Sequence, residues 1–231
     1  MGWILRDLRS GWRALLKQPG SAALSITAFG LGIGLCATMF SLVYGVFARG
    51  PDIEDPDQVI MVLRADPANE RFGMGVPQHD YFDWKEQQTS FSQLAAYSNG
   101  TINVTGTEGP ERYNGGFVTA ETFDVLGVQP LLGRAFEDRD DDPGAAMTLV
   151  LGYRVWQDRF EGSADVLGQV VKVNGEQASI IGVMPEGFQF PQDQELWVPK
   201  RDVRSELADR DDGTWSNVVG RLNPGVTRDR A

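Results

Sequence analysis

The feature that most constrains this chain is a run of 31 residues, from Gln18 to Ala48, that contains no charged side chain. From Ala22 onward the run is rich in leucine, isoleucine, valine and phenylalanine, and glycines and hydroxyls supply its polar relief. A helix of about 20 apolar residues crosses the ~30 Å hydrocarbon core of a bilayer, because each residue rises ~1.5 Å. The run therefore predicts a transmembrane helix over residues 19–48.

A cleaved signal peptide is the alternative interpretation of this run, since Val46-Phe47-Ala48 offers a small-residue end. The apolar region of a signal peptide usually has only about 7–15 residues. The run is longer than that, so a retained membrane anchor is favoured.

The segment before the run, residues 1–18, is predicted to be an amphipathic helix on the cytoplasmic face of the membrane. Apolar residues recur in it at helical spacing, while bases occupy the other surface. Because lysine and arginine accumulate on the cytoplasmic side, these bases also place the N-terminus in the cytoplasm. The predicted interfacial anchors are Trp3, Arg6, Arg9, Trp12, Arg13 and Lys17.

Charge divides the chain into two unlike parts. Residues 1–49 carry five bases and one acid, whereas the remaining 182 residues carry 16 bases and 31 acids, a net charge of −15. This acidic balance argues against nucleic-acid binding, which needs clustered bases to neutralise phosphates. One cysteine excludes an internal disulfide, and one histidine leaves little for histidine-based metal or proton-transfer sites.

Glycines within the predicted span carry the one packing prediction. Gly30 and Gly34 form a GxxxG pattern, which permits close contact between helices in lipid, although glycines scattered through a span are an equally good interpretation. A nucleotide-binding loop is excluded, because no strand precedes these glycines and no acidic residue follows at the expected distance.

Residues 49–231 are predicted to form an extracytoplasmic domain of the α+β class. Short strands and short helices alternate irregularly, with a buried strand at 59–63, a hairpin of strands 101–105 and 112–119, a further strand at 148–151 and a late strand at 215–222. Helices are predicted at 81–88, at 121–126, where Gly127 stops the helix, and at 153–160. The clearest element is a hairpin, 169–183, turning at Asn174-Gly175, a pair suited to positive φ angles. Thr227 resembles a helix N-cap four residues before Ala231, so the domain is expected to be incomplete at that end.

Candidate chemistry in this domain is sparse. The run Glu137 to Asp142 alternates aspartates as calcium loops do, but Pro143 and Leu149 stand where glycine and glutamate are required, which favours a solvated surface turn. No P-loop sequence occurs, and no nucleophile can be assigned to His79. The sequence predicts no catalytic residue, no cofactor and no metal site. Aromatic residues at 153, 156, 160, 188, 190 and 197 are predicted to belong to the core, and the alternative for some of them is a partner or substrate groove.

An ordered series of segments resembles bacterial ABC-transporter permeases of the MacB-like and FtsX-like group, especially those with duplicated permease halves. The segments are Arg6–Arg9, Leu16–Gly20, Gly30–Gly34, Phe82–Trp84, Ser90–Tyr97, Leu126–Phe136, Val155–Phe160, Ile181–Phe188 and Glu195–Pro199. In that group an interfacial helix and a first span precede a large periplasmic core domain, and three further spans follow. The segment Val46–Pro51 departs from the family's usual pattern.

The resemblance implies a mechanical, non-catalytic role in the bacterial inner membrane. A separate cytoplasmic ABC ATPase would hydrolyse ATP, and the spans would transmit its closure to the periplasmic domain, which would drive substrate efflux or control a partner. The implied partners are that ATPase, a second permease subunit, membrane lipids, and a periplasmic adaptor or substrate. The alternative hypothesis is a stand-alone single-pass sensor or adaptor with a protein-binding outer domain. An anchored hydrolase using His79 has little support.

Overall fold

The computed structural model describes residues 19–47, 53–106, 109–202 and 215–230. The chain divides into two compact units, Met1–Gly50 and Pro51–Ala231. In the first unit the described element is one helix, α1 (Pro19–Phe47). The helices of the second unit are α2 (Gln78–Gln87), α3 (Thr122–Leu126) and α4 (Tyr153–Phe160). Its strands are β1 (Val59–Val62), β2 (Arg64–Asp66), β3 (Arg71–Met74), β4 (Phe91–Gly106), β5 (Gly109–Val118), β6 (Leu132–Gly133), β7 (Met147–Leu151), β8 (Val170–Val173), β9 (Glu176–Val183), β10 (Leu196–Pro199) and β11 (Asn217–Leu222).

Nine of these strands form one mixed sheet in the order β1-β11-β4-β5-β10-β7-β9-β6, and β8 pairs with both β4 and β9. The pairing of β8 closes six strands into a ring, β4-β5-β10-β7-β9-β8. Strands β1 and β11 extend from β4 outside this ring. The second unit is therefore an α+β domain, as predicted.

One buried cluster draws side chains from one face of the ring strands. Along β7 and β10 its members alternate with residues of another cluster, which is the two-residue period of a strand with both faces covered. Helix α4 adds Val155 and Trp156. The strand members are Ile102, Val104, Leu149, Leu151, Val173, Ala178, Ile180, Val183, Leu196 and Val198. A small ring of strands is filled by such side chains and leaves no channel.

The long strand β4 also serves two further clusters. Ala95 and Tyr97 face a cluster built around Trp197 and α3, whereas Leu94 and Ala96 face a third cluster with Tyr81 of α2. Aromatic rings dominate the second of the three clusters: Phe123 lies edge-on to Trp197, with ring centroids 6.1 Å apart. Trp156, Phe188, Phe190 and Trp197 are thus confirmed as core residues, whereas Tyr153 and Phe160 are half-buried and pack against the core.

The predicted hairpin at residues 169–183 is confirmed as β8 and β9, with Asn174 at φ 48° and Gly175 at φ 95°. Its turn is tied to the long hairpin β4–β5, because Asn174 Oδ1 accepts the Asn103 backbone N–H at 2.9 Å. The Asn174 N–H in turn donates to the Asn103 carbonyl at 2.9 Å. Two hairpins that are distant in sequence are therefore held side by side.

Three local predictions need correction. The predicted buried strand at 59–63 is an edge strand, and Met61 is 55% exposed. The strand predicted at Thr101–Thr105 begins ten residues earlier, at Phe91. The acidic run is not simply solvated, since Asp140 is buried. Thr227 precedes a single 3₁₀ turn, Arg228–Arg230.

Candidate functional site

Helix α1 exposes all of its large apolar side chains that the structure describes. Eight leucine, isoleucine, methionine and phenylalanine residues between Leu24 and Phe40 are 63–75% exposed. The hydroxyls of Thr27 and Thr38 donate to carbonyls one turn earlier, at 2.9 and 2.8 Å, so both are satisfied within the helix. The segment Ala23–Ser41 is long and apolar enough to cross a membrane. Water would penalise this surface, whereas hydrocarbon would not.

The predicted packing glycines, Gly30 and Gly34, lie in α1 with open space where a Cβ atom would stand. A shallow depression on the helix is lined by Gly32 and Cys36 among others, and by neither predicted glycine. The structure therefore leaves the helix-packing role of Gly30 and Gly34 as a prediction. The six predicted interfacial anchors, Trp3, Arg6, Arg9, Trp12, Arg13 and Lys17, lie outside the described residues.

The end of α3 holds the start of the second unit, Pro51–Ala231, which we call the outer domain. A helix leaves its last four carbonyls without helical partners. Here the carbonyls of Phe123 and Asp124 accept the N–H groups of Val128 and Gly127, both at 3.0 Å. Gly127 adopts φ +70°, the left-handed geometry that commonly ends helices. The predicted stop at Gly127 is confirmed.

The remaining two carbonyls of α3 are satisfied by residues from far away in the sequence. Arg221 Nε of β11 donates to the Val125 carbonyl at 2.9 Å, and the Glu54 N–H donates to the Leu126 carbonyl at 3.1 Å. Arg221 Nη2 then donates to the Glu54 carbonyl at 2.8 Å. We call Ile53, Glu54, Gly127 and Arg221 the root tie. Its first residue, Ile53, lies six residues after the end of α1 and packs against the cluster around Trp197.

Two adjacent carboxyls of the acidic run, Asp140 and Asp141, are held by contacts within the same domain, and their pKa values shift in opposite directions. Arg134 binds Asp140 through two hydrogen bonds, at 2.6 and 3.1 Å. Burial alone would raise the pKa of Asp140, but the bonds from Arg134 and from the Glu137 N–H lower it. Asp140 therefore anchors the turn as a carboxylate.

Asp141 is the second of these carboxyls. Its Oδ2 accepts the Ala120 N–H at 2.8 Å, while its Oδ1 is enclosed and has no hydrogen-bond partner in the described part of the chain. Burial raises the pKa of Asp141 to about 7, and the nearby charge of Glu121 adds to the effect. Among the described residues, no group of three potential ligands could hold a metal ion.

Comparison with known proteins decides the family. The sequence profile of the MacB-like periplasmic core domain matches residues 22–231. The chain belongs to this family. The matched region includes most of α1 and the whole outer domain. The family resemblance predicted from the ordered segments of the sequence is therefore confirmed.

A curated relative of this MacB-like chain is the macrolide export ATP-binding/permease protein MacB 2 of Aeromonas hydrophila. The two are 27% identical over 225 residues, which cover 87% of this chain and 32% of the relative. The chain thus spans about a third of the length of that relative.

Two solved structures share the fold of the MacB-like chain. The periplasmic region of MacB from Actinobacillus actinomycetemcomitans aligns with a TM-score of 0.55 and 16% identity, over 74% of this chain and 76% of that one. The extracellular domain of the noncanonic ABC-type transporter YknZ from Gram-positive bacteria aligns with a TM-score of 0.52 and 18% identity, over 72% and 84%. The α+β fold prediction is confirmed.

The amino-acid sequence alone did not predict the root tie. Its available signals were an arginine inside the otherwise apolar strand Val218–Leu222 and a glycine directly after an apolar helix. Neither signal identifies its partner, because Glu54 and Arg221 are separated by 167 residues.

Proposed function

We propose that this chain is the membrane-anchored first part of an ABC transporter permease subunit. Residues 1–18 lie on the cytoplasmic surface, residues 19–48 cross the inner membrane, and residues 49–231 form an extracytoplasmic domain. That domain converts ATP hydrolysis by a cytoplasmic ATPase into substrate efflux or control of a partner.

The observation that carries this proposal is the continuity between α1 and the root tie within one family-matched stretch. Helix α1 presents apolar side chains on its surface, as a helix in lipid does. Six residues later the chain is held at Ile53 and Glu54 by α3 and β11. Ile53 and Glu54 are the first residues of the outer domain that the structure describes, so in this proposal they receive a movement of the helix through the chain.

The root tie is suited to transmitting such a movement. Arg221 lies in β11, which pairs with the long strand β4, and β4 belongs to the ring of six strands. A displacement of Glu54 would therefore be transmitted through Arg221 to one continuous hydrogen-bonded sheet. Packed interiors transmit strain because they are dense and scarcely compressible.

The partners follow from this role. The ATPase is a separate subunit, a second permease subunit completes the assembly, and the outer domain meets a substrate or an adaptor. The name of the Aeromonas relative joins ATP binding and permease in one protein. A transporter reconstituted from separate genes would distinguish the separate-subunit arrangement proposed here from that one.

Cysteine labelling in cells that carry the complete transporter tests the proposal. In a Cys36→Ala background, Leu131→Cys places a thiol at a site that is 51% exposed in the outer domain. A membrane-impermeant maleimide should label it in intact cells, and ATP depletion should change the labelling rate about twofold or more. Arg221→Ala should keep the labelling and lose the dependence on ATP, because the root tie is cut.

Two outcomes would contradict the proposal. Labelling of Leu131→Cys only after cell lysis would place the domain in the cytoplasm. A labelling rate that is indifferent to ATP in the wild-type background would remove the coupling to an ATPase. The Cys36→Ala chain without the new thiol is the control for background labelling.

A further inference from the structure

Asp141 joins three segments of the outer domain at one point. Its Oδ2 accepts the Ala120 N–H at 2.8 Å, and its backbone carbonyl accepts the Asp202 N–H at 2.9 Å. Ala120 lies two residues before α3, and Asp202 lies three residues after the end of β10. We call these two contacts the clasp, because through them Asp141 holds the approach to α3 and the segment after β10 together.

The enclosed side of the clasp contains more acid than base. Asp141 Oδ1 and Glu121 Oε2 are both enclosed, and neither has a hydrogen-bond partner among the described residues. Lys85 of α2 forms an ion pair with Glu121 through the other oxygen, Oε1. The charges of both Glu121 and Lys85 act on Asp141. One ammonium group therefore serves two enclosed carboxyls, and the second carboxyl is accommodated at low cost only while it is neutral.

The other bases around the clasp are bound to other groups. They are Arg134, paired with Asp140; Arg139, with Glu137; Arg201, with Glu176; and Lys200, which donates to Ser98 at 3.4 Å. Further acids lie on the same turn and after β10, namely Asp138, Asp142 and Asp202. Burial and the charge of Glu121 raise the pKa of Tyr81 on α2, so this phenol stays protonated and adds no charge. Glu121 and Asp140 thus oppose the ionisation of Asp141, and Lys85 favours it.

Loss of the proton from Asp141 leaves three arrangements. A charged Oδ1 that stays enclosed without a partner carries a large desolvation cost. Transfer of Lys85 to Asp141 would leave Glu121 charged, with both of its oxygens unpartnered. The side chain can instead turn to water, because residues 142–144, which follow it, are exposed. The third arrangement avoids both costs and releases the Ala120 N–H.

We propose that the clasp is a proton-operated switch, which is closed while Asp141 is protonated and opens when the carboxylate forms and turns to water. Opening frees the approach to α3, while the root tie still holds the other end of that helix. The clasp itself does not depend on coupling to an ATPase. Its consequence in the cell, that the pH outside the membrane reaches the root tie through α3, rests on the proposed function.

The pH range of the switch follows from the two states of Asp141. Burial raises the pKa of Asp141 to about 7 in the closed clasp, from an ordinary value of 3.8. The closed form therefore keeps a proton that the open form loses. Closure is fully favoured below about pH 4, weakens as the pH rises to about 7, and is constant above that, where both forms are ionised.

Hydrogen exchange in the full chain, held in detergent micelles between about pH 4 and pH 8, tests the proposal. The exchange rate of the Ala120 N–H, divided by the intrinsic rate at each pH, gives the opening constant of the clasp. In Asp141→Asn the side chain is neutral at every pH, so the clasp stays closed. The ratio of the opening constant in wild type to that in Asp141→Asn should rise about a hundredfold from pH 4 to pH 7 and then stay level.

Two further variants locate the switch. Asp142→Asn removes the same charge from the exposed neighbouring residue, so it is the matched control and should keep the wild-type rise. Glu121→Gln removes a charge that opposes the ionisation of Asp141. It therefore lowers the pKa of Asp141 and should reduce the rise about threefold or more.

A second amide distinguishes local opening from unfolding of the whole domain. The Ile180 N–H lies inside the ring of strands and donates to the Gln169 carbonyl at 2.9 Å. Its opening constant should be at least about tenfold smaller than that of the Ala120 N–H at every pH.

Four results would overturn the proposal. They are a wild-type opening constant that does not rise relative to Asp141→Asn, loss of the rise in Asp142→Asn, a larger rise in Glu121→Gln than in wild type, and equal opening constants for the Ala120 and Ile180 amides. The second would assign the effect to the general charge of the turn. The fourth would mean that Ala120 is released only when the domain unfolds.

Discussion

Helix α1 and the ring of strands contain the same kinds of apolar side chains, but these side chains are exposed on α1 and buried inside the ring. Leu31 of α1 is 63% exposed, whereas Leu149 of β7 is fully buried. A helix satisfies its own backbone hydrogen bonds, so it can present its side chains to lipid without neighbours. A strand needs partners on both sides, and the ring provides them by closing through β8.

The difference teaches where each unit draws its stability. The outer domain is held by burial of apolar area from water, a driving force that is absent between α1 and hydrocarbon. Truncating a side chain should therefore be costly in one unit and nearly neutral for folding in the other.

Trp197→Ala should produce the largest effect on the outer domain. The ring is fully buried, packs against Phe123 and Phe188, and donates its Nε1–H to the Phe190 carbonyl at 2.8 Å. The cavity and the lost bond should lower the free energy of unfolding by about 3–5 kcal/mol. Chemical denaturation of the full chain in detergent, followed by near-ultraviolet circular dichroism, measures this loss.

Phe29→Ala in α1 is the control, because it also removes an aromatic ring, one that is 73% exposed there. It should change the unfolding of the outer domain by less than about 0.5 kcal/mol. A comparable loss in both variants would show that α1 is part of the soluble core, and the contrast between the two units would fail.

Local patterns predicted the elements whose cause is local. The uncharged run of residues predicted α1, Asn174-Gly175 predicted the hairpin, and Gly127 predicted the end of α3, each within a few residues. In each case the residues that determine the element lie within one turn or one span of the chain. The fold class needed only the mixture of such elements.

Features that depend on pairing across the chain could not be predicted in this way. The pairing of β8 with β4 that closes the ring, the contact of Arg221 with Glu54 and the burial of Asp140 each join residues distant in sequence or hidden in an acidic run.

Two adjacent carboxyls offer a contrast of intermediate size within the outer domain. Asp141 has a folded pKa of about 7, above its ordinary value of 3.8, so the folded state retains a proton that the unfolded state has lost. Its contribution to stability therefore falls as the pH rises from about 4 to 7. Asp141→Asn should be about 2–4 kcal/mol more stable than wild type above pH 7 and nearly equal to it near pH 4.

Asp140→Asn should behave in the opposite way. The pKa of Asp140 is lowered, so the carboxylate stabilises the fold above its unfolded pKa, and this contribution is lost as the pH falls through the folded pKa. The variant should lose about 1–3 kcal/mol near pH 7 and less in acid. Denaturation midpoints across pH 3–8 measure both variants, and parallel pH profiles for the two would contradict the assigned roles.

The smallest expected effect is the difference between two glycine-to-alanine variants, one at the root tie and one at a turn where only backbone strain acts. Gly127 and Gly225 both adopt positive φ angles, +70° and +84°, so alanine is strained at either site by about 1 kcal/mol. At Gly225 an added Cβ meets open space, whereas at Gly127 it would lie 2.5 Å from Glu54 Cβ. Gly127→Ala should therefore cost about 1–2 kcal/mol more than Gly225→Ala, because Glu54 must leave the Leu126 carbonyl.

Hydrogen exchange at the Glu54 N–H supplies the local measurement for this pair. Its exchange should accelerate in Gly127→Ala and stay unchanged in Gly225→Ala, since only the first substitution displaces the segment that follows α1. Equal stability losses together with an unchanged exchange rate would mean that Glu54 is loosely held. The start of the outer domain would then be held in the sheet only from β1 onward, through the pairing of β1 with β11, without Arg221.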